Sequence, residues 1–123
     1  MGLILVVDDE PDAGKLVQRV LSASGHLVVT ITEAEEAIEW LRDNTPDLVL
    51  LDVKLRGSSG ISVLEFLHQR SPGPKVMLMT GYSSAETRSK ALAFGVKECL
   101  TKPVELEELE SRVAAMLEGD PRA

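Results

Sequence analysis

The stretch Asp47-Leu-Val-Leu-Leu-Asp52, continued by Val53-Lys-Leu-Arg-Gly-Ser-Ser-Gly60, decides the fold. Four large apolar residues in a row read as a strand buried on both faces, as in a parallel sheet, and the run ends on an acid where the chain must turn. In open α/β sheets ligands bind in the crevice outside the C-terminal ends of the strands. A carboxylate at that end is therefore expected to face solvent chemistry and not the core.

Upstream, Leu3-Ile-Leu-Val-Val7 is a β-rich run broken by Asp8-Asp9-Glu10-Pro11, whose acids and proline suit the first turn of a helix. Ala13, Leu16, Val17, Val20 and Leu21 then recur at helical spacing as far as Ser24, with Gly25 placed as a C-terminal cap. Leu27-Val-Val-Thr-Ile31 is a second strand. Thr32 and Glu35 have capping-box spacing, and Ala34, Ala37, Ile38 and Leu41 form one apolar face, which predicts a helix to about Asp43.

Downstream, Ile61, Leu64 and Leu67 mark a third helix, stopped by Ser71-Pro-Gly-Pro74. Lys75-Val-Met-Leu-Met-Thr80 is the fourth strand. Ser83 and Glu86 offer another capping box for a short helix ending at Gly95, and Val96 to Leu100 reads as a fifth strand. Pro103 permits a helix start, and Leu106, Leu109, Val113, Met116 and Leu117 carry a last helix to about Glu118. One domain is expected over residues 1–118, with Gly119-Asp-Pro-Arg-Ala123 as a tail or the start of a linker.

Five strands alternating with five helices predict an α/β domain: a three-layer, doubly wound, parallel five-stranded sheet of flavodoxin-like type. Right-handed crossovers make 2-1-3-4-5 the expected strand order. The chain has 123 residues, enough for one core without staples. Its 44% hydrophobic and 27% charged residues are those of a globular protein, and no apolar run approaches the roughly 20 residues of a membrane span. Nothing at Met1 resembles a signal peptide, and one cysteine, Cys99, cannot form an internal disulfide; a cytoplasmic location is expected. Twenty acidic against 13 basic residues give a net charge of -7, which argues against direct nucleic-acid binding.

If the strands lie parallel, Asp8 and Asp9 follow strand one, Asp52 ends strand three, Thr80 ends strand four and Lys102 follows strand five, all on one edge. Each has an ordinary explanation alone: a charged helix start, a turn residue, a solvated lysine. Core packing gives no reason for their common placement. Like charges about 4 Å apart repel by about 4 kcal/mol at an effective dielectric near 20, so clustered carboxylates call for a cation. All-oxygen ligands favour Mg²⁺, with Lys102 as a point charge for a phosphoryl group and Thr80 as a hydrogen-bond donor to it.

Over nearly its whole length the chain resembles a two-component response regulator receiver domain. The resemblance rests on Asp8-Asp9 after an apolar strand, Asp52 ending Leu-Val-Leu-Leu-Asp, Gly60 eight residues later, Thr80-Gly81 and Lys102-Pro103. It implies that Asp52 is a phosphoacceptor, taking a phosphoryl group from a phosphohistidine on a histidine kinase or phosphotransfer protein. It also implies that Mg²⁺ is held by Asp9, Asp52 and the carbonyl of Val53, with Asp8 acting largely through water, while Thr80 and Lys102 bind the phosphoryl oxygens. Such a domain assists its own phosphorylation and dephosphorylation and is not a separate enzyme. Its output passes to an effector domain or protein that no residue here names; the chain is either a stand-alone receiver or one whose effector was cut away.

The chain departs from the family at several positions. Cys99 stands three residues before Lys102, where an aromatic switch residue is common, and a buried thiol is the expectation. Arg56 replaces a frequent proline. Lys54 and Tyr82 lie at positions resembling those that tune attack of water on the phosphoaspartate. Competing readings are a pseudo-receiver acting only as an interaction module, which would lack a complete acidic pocket, and a Mg²⁺-dependent aspartyl phosphatase, which would carry Asp-x-Asp on its first strand. A nucleotide-binding domain would need a glycine-rich loop after strand one.

Overall fold

In a computed structural model, the chain is described over residues 2–52, 59–70, 73–80, 89, 92–96, 98–101 and 104–118, with the side chains of 59–61 and 80 outside that description. Five strands form where the apolar runs lie: β1 Leu3–Val7, β2 Leu27–Ile31, β3 Leu48–Asp52, β4 Lys75–Thr80 and β5 Glu98–Thr101. All neighbouring pairs are parallel and the order is β2-β1-β3-β4-β5, as predicted. The described residues form the helices α1 Pro11–Ala23, α2 Ala34–Asp43, α3 Ser59–His68 and α4 Leu106–Glu118. The helix predicted between Ser83 and Gly95 falls largely outside the described residues.

Strand periodicity of two sorts the core into two layers. Leu5, Val7, Val49, Leu51 and Leu78 pack toward α2 and α3, with Ala37, Leu41, Leu64 and Leu67. Ile4, Val6, Leu48, Leu50, Met77 and Met79 pack toward α1 and α4, with Val17, Leu21, Leu109 and Val113. Every residue of β3 is buried, which is why its sequence shows no polar alternation.

α1 begins with Pro11 at its first position, where the missing N–H costs nothing. It ends at Gly25, whose φ of +97° lets its N–H reach the Ser22 carbonyl while His26 N–H reaches that of Leu21. Two local expectations are corrected. The Thr32–Glu35 capping box does not form: β2 runs through Ile31, extended Glu33 is the N-cap of α2, and it makes no side-chain capping bond, so the box is one residue out of phase. β5 starts at Glu98 and not Val96, because the turn through Gly95, φ +83°, carries Val96 into the core before pairing begins opposite Met77.

The N-terminal edge of the sheet is tied by Asp47. Its carboxylate accepts the Leu3 N–H at 2.8 Å, its own N–H donates to the Leu3 carbonyl, and its carbonyl accepts the Lys75 N–H. The Arg70 guanidinium donates to the Leu41 carbonyl and joins the end of α3 to α2.

Candidate functional site

The pairing Val7↔Leu51 aligns β1 with β3, so Asp8, the residue after β1, and Asp52, the last of β3, come at the same level of two strands that are typically about 4.8 Å apart. Alternation gives both the phase of Val6 and Leu50, toward the α1 and α4 side. β1 and β3 carry crossovers of opposite sense, to β2 and β4, so this pair sits at the switch point of the sheet. Thr80 ends β4 on the same edge, with Asp52 paired to Met79.

The expectation that Asp52 faces solvent is corrected. It is 0% exposed and Asp8 2% exposed, the two polar residues buried among the described ones. Asp52 is the last residue of the central strand, flanked by β1 and β4, and belongs to neither apolar cluster. Neither carboxylate lacks a partner, as burial of a charged group requires.

Asp8 is also the pivot between β1 and α1. Its N–H continues the ladder to the Ile31 carbonyl at 3.1 Å, and its Oδ1 accepts the Glu10 N–H at 3.0 Å, an Asx-type turn that sets Glu10 as the N-cap of α1. The turn gathers carboxylate oxygens of Asp8, Asp9 and Glu10 within 4.8 Å of one another. Three acids so close repel, and the partial positive charge at the N-terminus of α1 offsets only part of that.

The donor set fits Mg²⁺. All three groups are hard oxygen ligands, and an octahedron with bonds of about 2.1 Å needs oxygens about 3 to 4.2 Å apart, which is compatible with oxygens lying within 4.8 Å of one another. Asp8 and Asp9 are on the expected metal-ligand set; Asp52 is not in this trio. Glu10, read from sequence only as part of a charged helix start, is brought into the cluster by the turn. Its adjacency to Asp8-Asp9 was the available signal.

The predicted contributions of Val53, Lys54, Arg56, Tyr82 and Lys102, and of the Thr80 side chain, lie outside the described residues. Cys99 is half-buried and not buried, and packs at the margin of the α2–α3 layer.

A doubly wound sheet of order β2-β1-β3-β4-β5 with paired acids at its switch point is the arrangement of an α/β domain of the receiver class. The family model described as the response regulator receiver domain matches residues 4–114, and the chain belongs to that family, the receiver domain of two-component systems. It is 38% identical over 114 residues to the probable transcriptional regulatory protein TcrX of Mycobacterium tuberculosis, covering 93% of this chain and 49% of that protein. It is 31% identical over 107 residues to the DNA-binding transcriptional regulator NtrC of Escherichia coli, covering 87% of this chain and 23% of the relative. The chain thus spans half or less of the length of these curated relatives. Among solved structures, a CheY-like receiver domain protein from Methanospirillum hungatei superposes with a TM-score of 0.92 at 28% identity, over 99% of this chain and 98% of that one. Among the described residues no helix is long and apolar enough to cross a membrane.

Proposed function

We propose that Asp52 accepts a phosphoryl group from a phosphohistidine of a histidine kinase or phosphotransfer protein, and that the change at this edge is passed to an effector. The observation that carries this reading is the pair Asp8 and Asp52, buried side by side at the switch point of a parallel sheet where core packing offers them no role. An Asp52 carboxylate oxygen attacks phosphorus in line, the bond to the imidazole nitrogen breaks, and the histidine keeps the electron pair as the phosphoryl group becomes an acyl phosphate.

Asp8 and Asp9 would hold Mg²⁺ together with Asp52 and the Val53 carbonyl, with Glu10 close enough to take part directly or through water. When bound, the ion supplies charge neutralisation of the carboxylates and the equatorial phosphoryl oxygens. Asp8 has a second task, holding the turn that starts α1, so loading of the acidic cluster is coupled to that helix. Lys102 as counter-charge and Thr80 as donor complete the proposed site. The domain acts on its own aspartate and on no separate substrate, in the cytoplasm. Because Asp52 is covered, side chains around it must shift for donor and ion to reach it.

The test is intact mass after treatment with acetyl phosphate and Mg²⁺, for the wild type and Asp52→Asn. One added phosphoryl group on the wild type and none on the variant is expected. Equal labelling of both, or of neither in the presence of Mg²⁺, would overturn the assignment.

A further inference from the structure

At the opposite edge of the sheet from Asp52 lies a cavity of about 600 Å³, within the range of small-molecule sites. Among the described residues, β5 pairs from Glu98 opposite Met77, and no described residue of β5 is paired with Lys75 or Val76 at the start of β4. The end of α3, the turn at Phe94 and Gly95, and the end of α4 close around the cavity there.

The walls have two chemical characters. Leu64, Leu67, Val76, Phe94 and Met116 supply an apolar lining, with the Phe94 ring held edge-on to His68 at 5.6 Å between centroids. The charged residues at the walls are Arg70, Lys75, Arg112 and Glu98. Arg112 is neutralised by Glu98 at 2.7 Å and Glu108 at 3.8 Å. Lys75 and Arg70 differ: the Lys75 ammonium donates to the Met116 carbonyl, and Arg70 donates to the Leu41 carbonyl and lies over the Phe66 ring. Neither meets a carboxylate among the described residues, in a chain of net charge -7. The cavity is therefore a cationic spot with an apolar interior on an acidic protein.

We infer that this cavity binds an amphipathic small-molecule anion, its apolar body against Leu64, Val76 and Phe94 and its carboxylate, sulfonate or phosphate head on Lys75, since the Arg70 guanidinium is turned to Leu41 and Thr45. The charge complementarity favours an anion over a neutral apolar ligand, and the half-open cavity has room for a body of one or two rings. The site is separate from the acidic edge, so it does not depend on Asp52 accepting phosphate.

Anilinonaphthalene sulfonate is the probe, with uncharged phenylnaphthylamine as its neutral counterpart. Saturable one-to-one fluorescence enhancement by the sulfonate is expected, with the neutral compound at least about tenfold weaker. Lys75→Met keeps the apolar stem and should weaken the sulfonate about tenfold while leaving the neutral compound unchanged. Ala115→Trp, at an exposed helix position lining the cavity, should abolish binding of both by filling it. Amide chemical shifts on titration should move at residues 64–76, 94–98 and 112–116 and not at 8–10. Non-saturable enhancement, equal affinity for both compounds, or unchanged binding in Ala115→Trp with an unaltered urea midpoint would overturn the inference.

Discussion

Asp8→Asn tests whether the acidic edge is strained for the sake of a cation. The carboxylate is 2% exposed and its oxygens lie within 4.8 Å of those of Asp9 and Glu10. At that spacing and an effective dielectric near 20, each like-charge pair costs about 3.5 kcal/mol. Asp9 is only partly buried and Glu10 is exposed, so solvent and salt screen most of it, and about 1 kcal/mol per pair is the usable figure. The asparagine keeps an oxygen to accept the Glu10 N–H, so the turn into α1 survives. Against this relief stands the weakened contact with Asp8's own partner, so urea unfolding without divalent ions should find Asp8→Asn within about 1–2 kcal/mol of wild type. Saturating Mg²⁺ should stabilise the wild type by about 2.7 kcal/mol at a hundredfold excess over its dissociation constant, and the variant far less. A variant destabilised by more than about 2 kcal/mol without Mg²⁺ would show that Asp8's own partner outweighs the repulsion among the acids. Equal stabilisation of both proteins by Mg²⁺ would refute Asp8 as part of the ion's surroundings.

Two glycines should respond to alanine with opposite signs. Gly14, buried inside α1, would place its new Cβ 3.9 Å from Thr30, an ordinary contact, so Gly14→Ala should raise stability by about 0.5–1 kcal/mol in urea titration. Gly25 has open space but φ of +97°, so Gly25→Ala should lower stability by about 1–2 kcal/mol, and no loss would contradict its capping role. Leu50→Ala, in the central strand and fully buried between the sheet and the α1–α4 layer, should cost about 2–5 kcal/mol by chemical denaturation; a loss under 1 kcal/mol would mean the layer closes over the gap.

Much of this architecture is legible along the chain. Continuous apolar runs such as Leu48 to Leu51 announce buried strands, and 3.6-residue spacing in α1 and α4 announces the helices that cover them, because both signals are local and depend only on which faces meet water. Gly25 and Gly95 are legible too, since a helix end needing positive φ selects the residue without a Cβ. The capping box at Thr32 misled because its spacing is right but the helix starts one residue later, with Glu33 as its N-cap. Glu10 was passed over because its charge has a sufficient local reason at a helix start.

What the sequence by itself determined is the succession of strands and helices, the parallel sheet they must form and the acids at its strand ends, since each follows from patterns read within a dozen residues. Only the tertiary structure decided that Asp52 is covered and not open, that the Asp8 carboxylate turns back to Glu10, and that Val96 packs in the core ahead of β5, with a cavity beside Lys75. Those outcomes depend on register and on packing between segments distant in the chain, where each side chain's surroundings are set by neighbours that its own stretch of sequence does not contain.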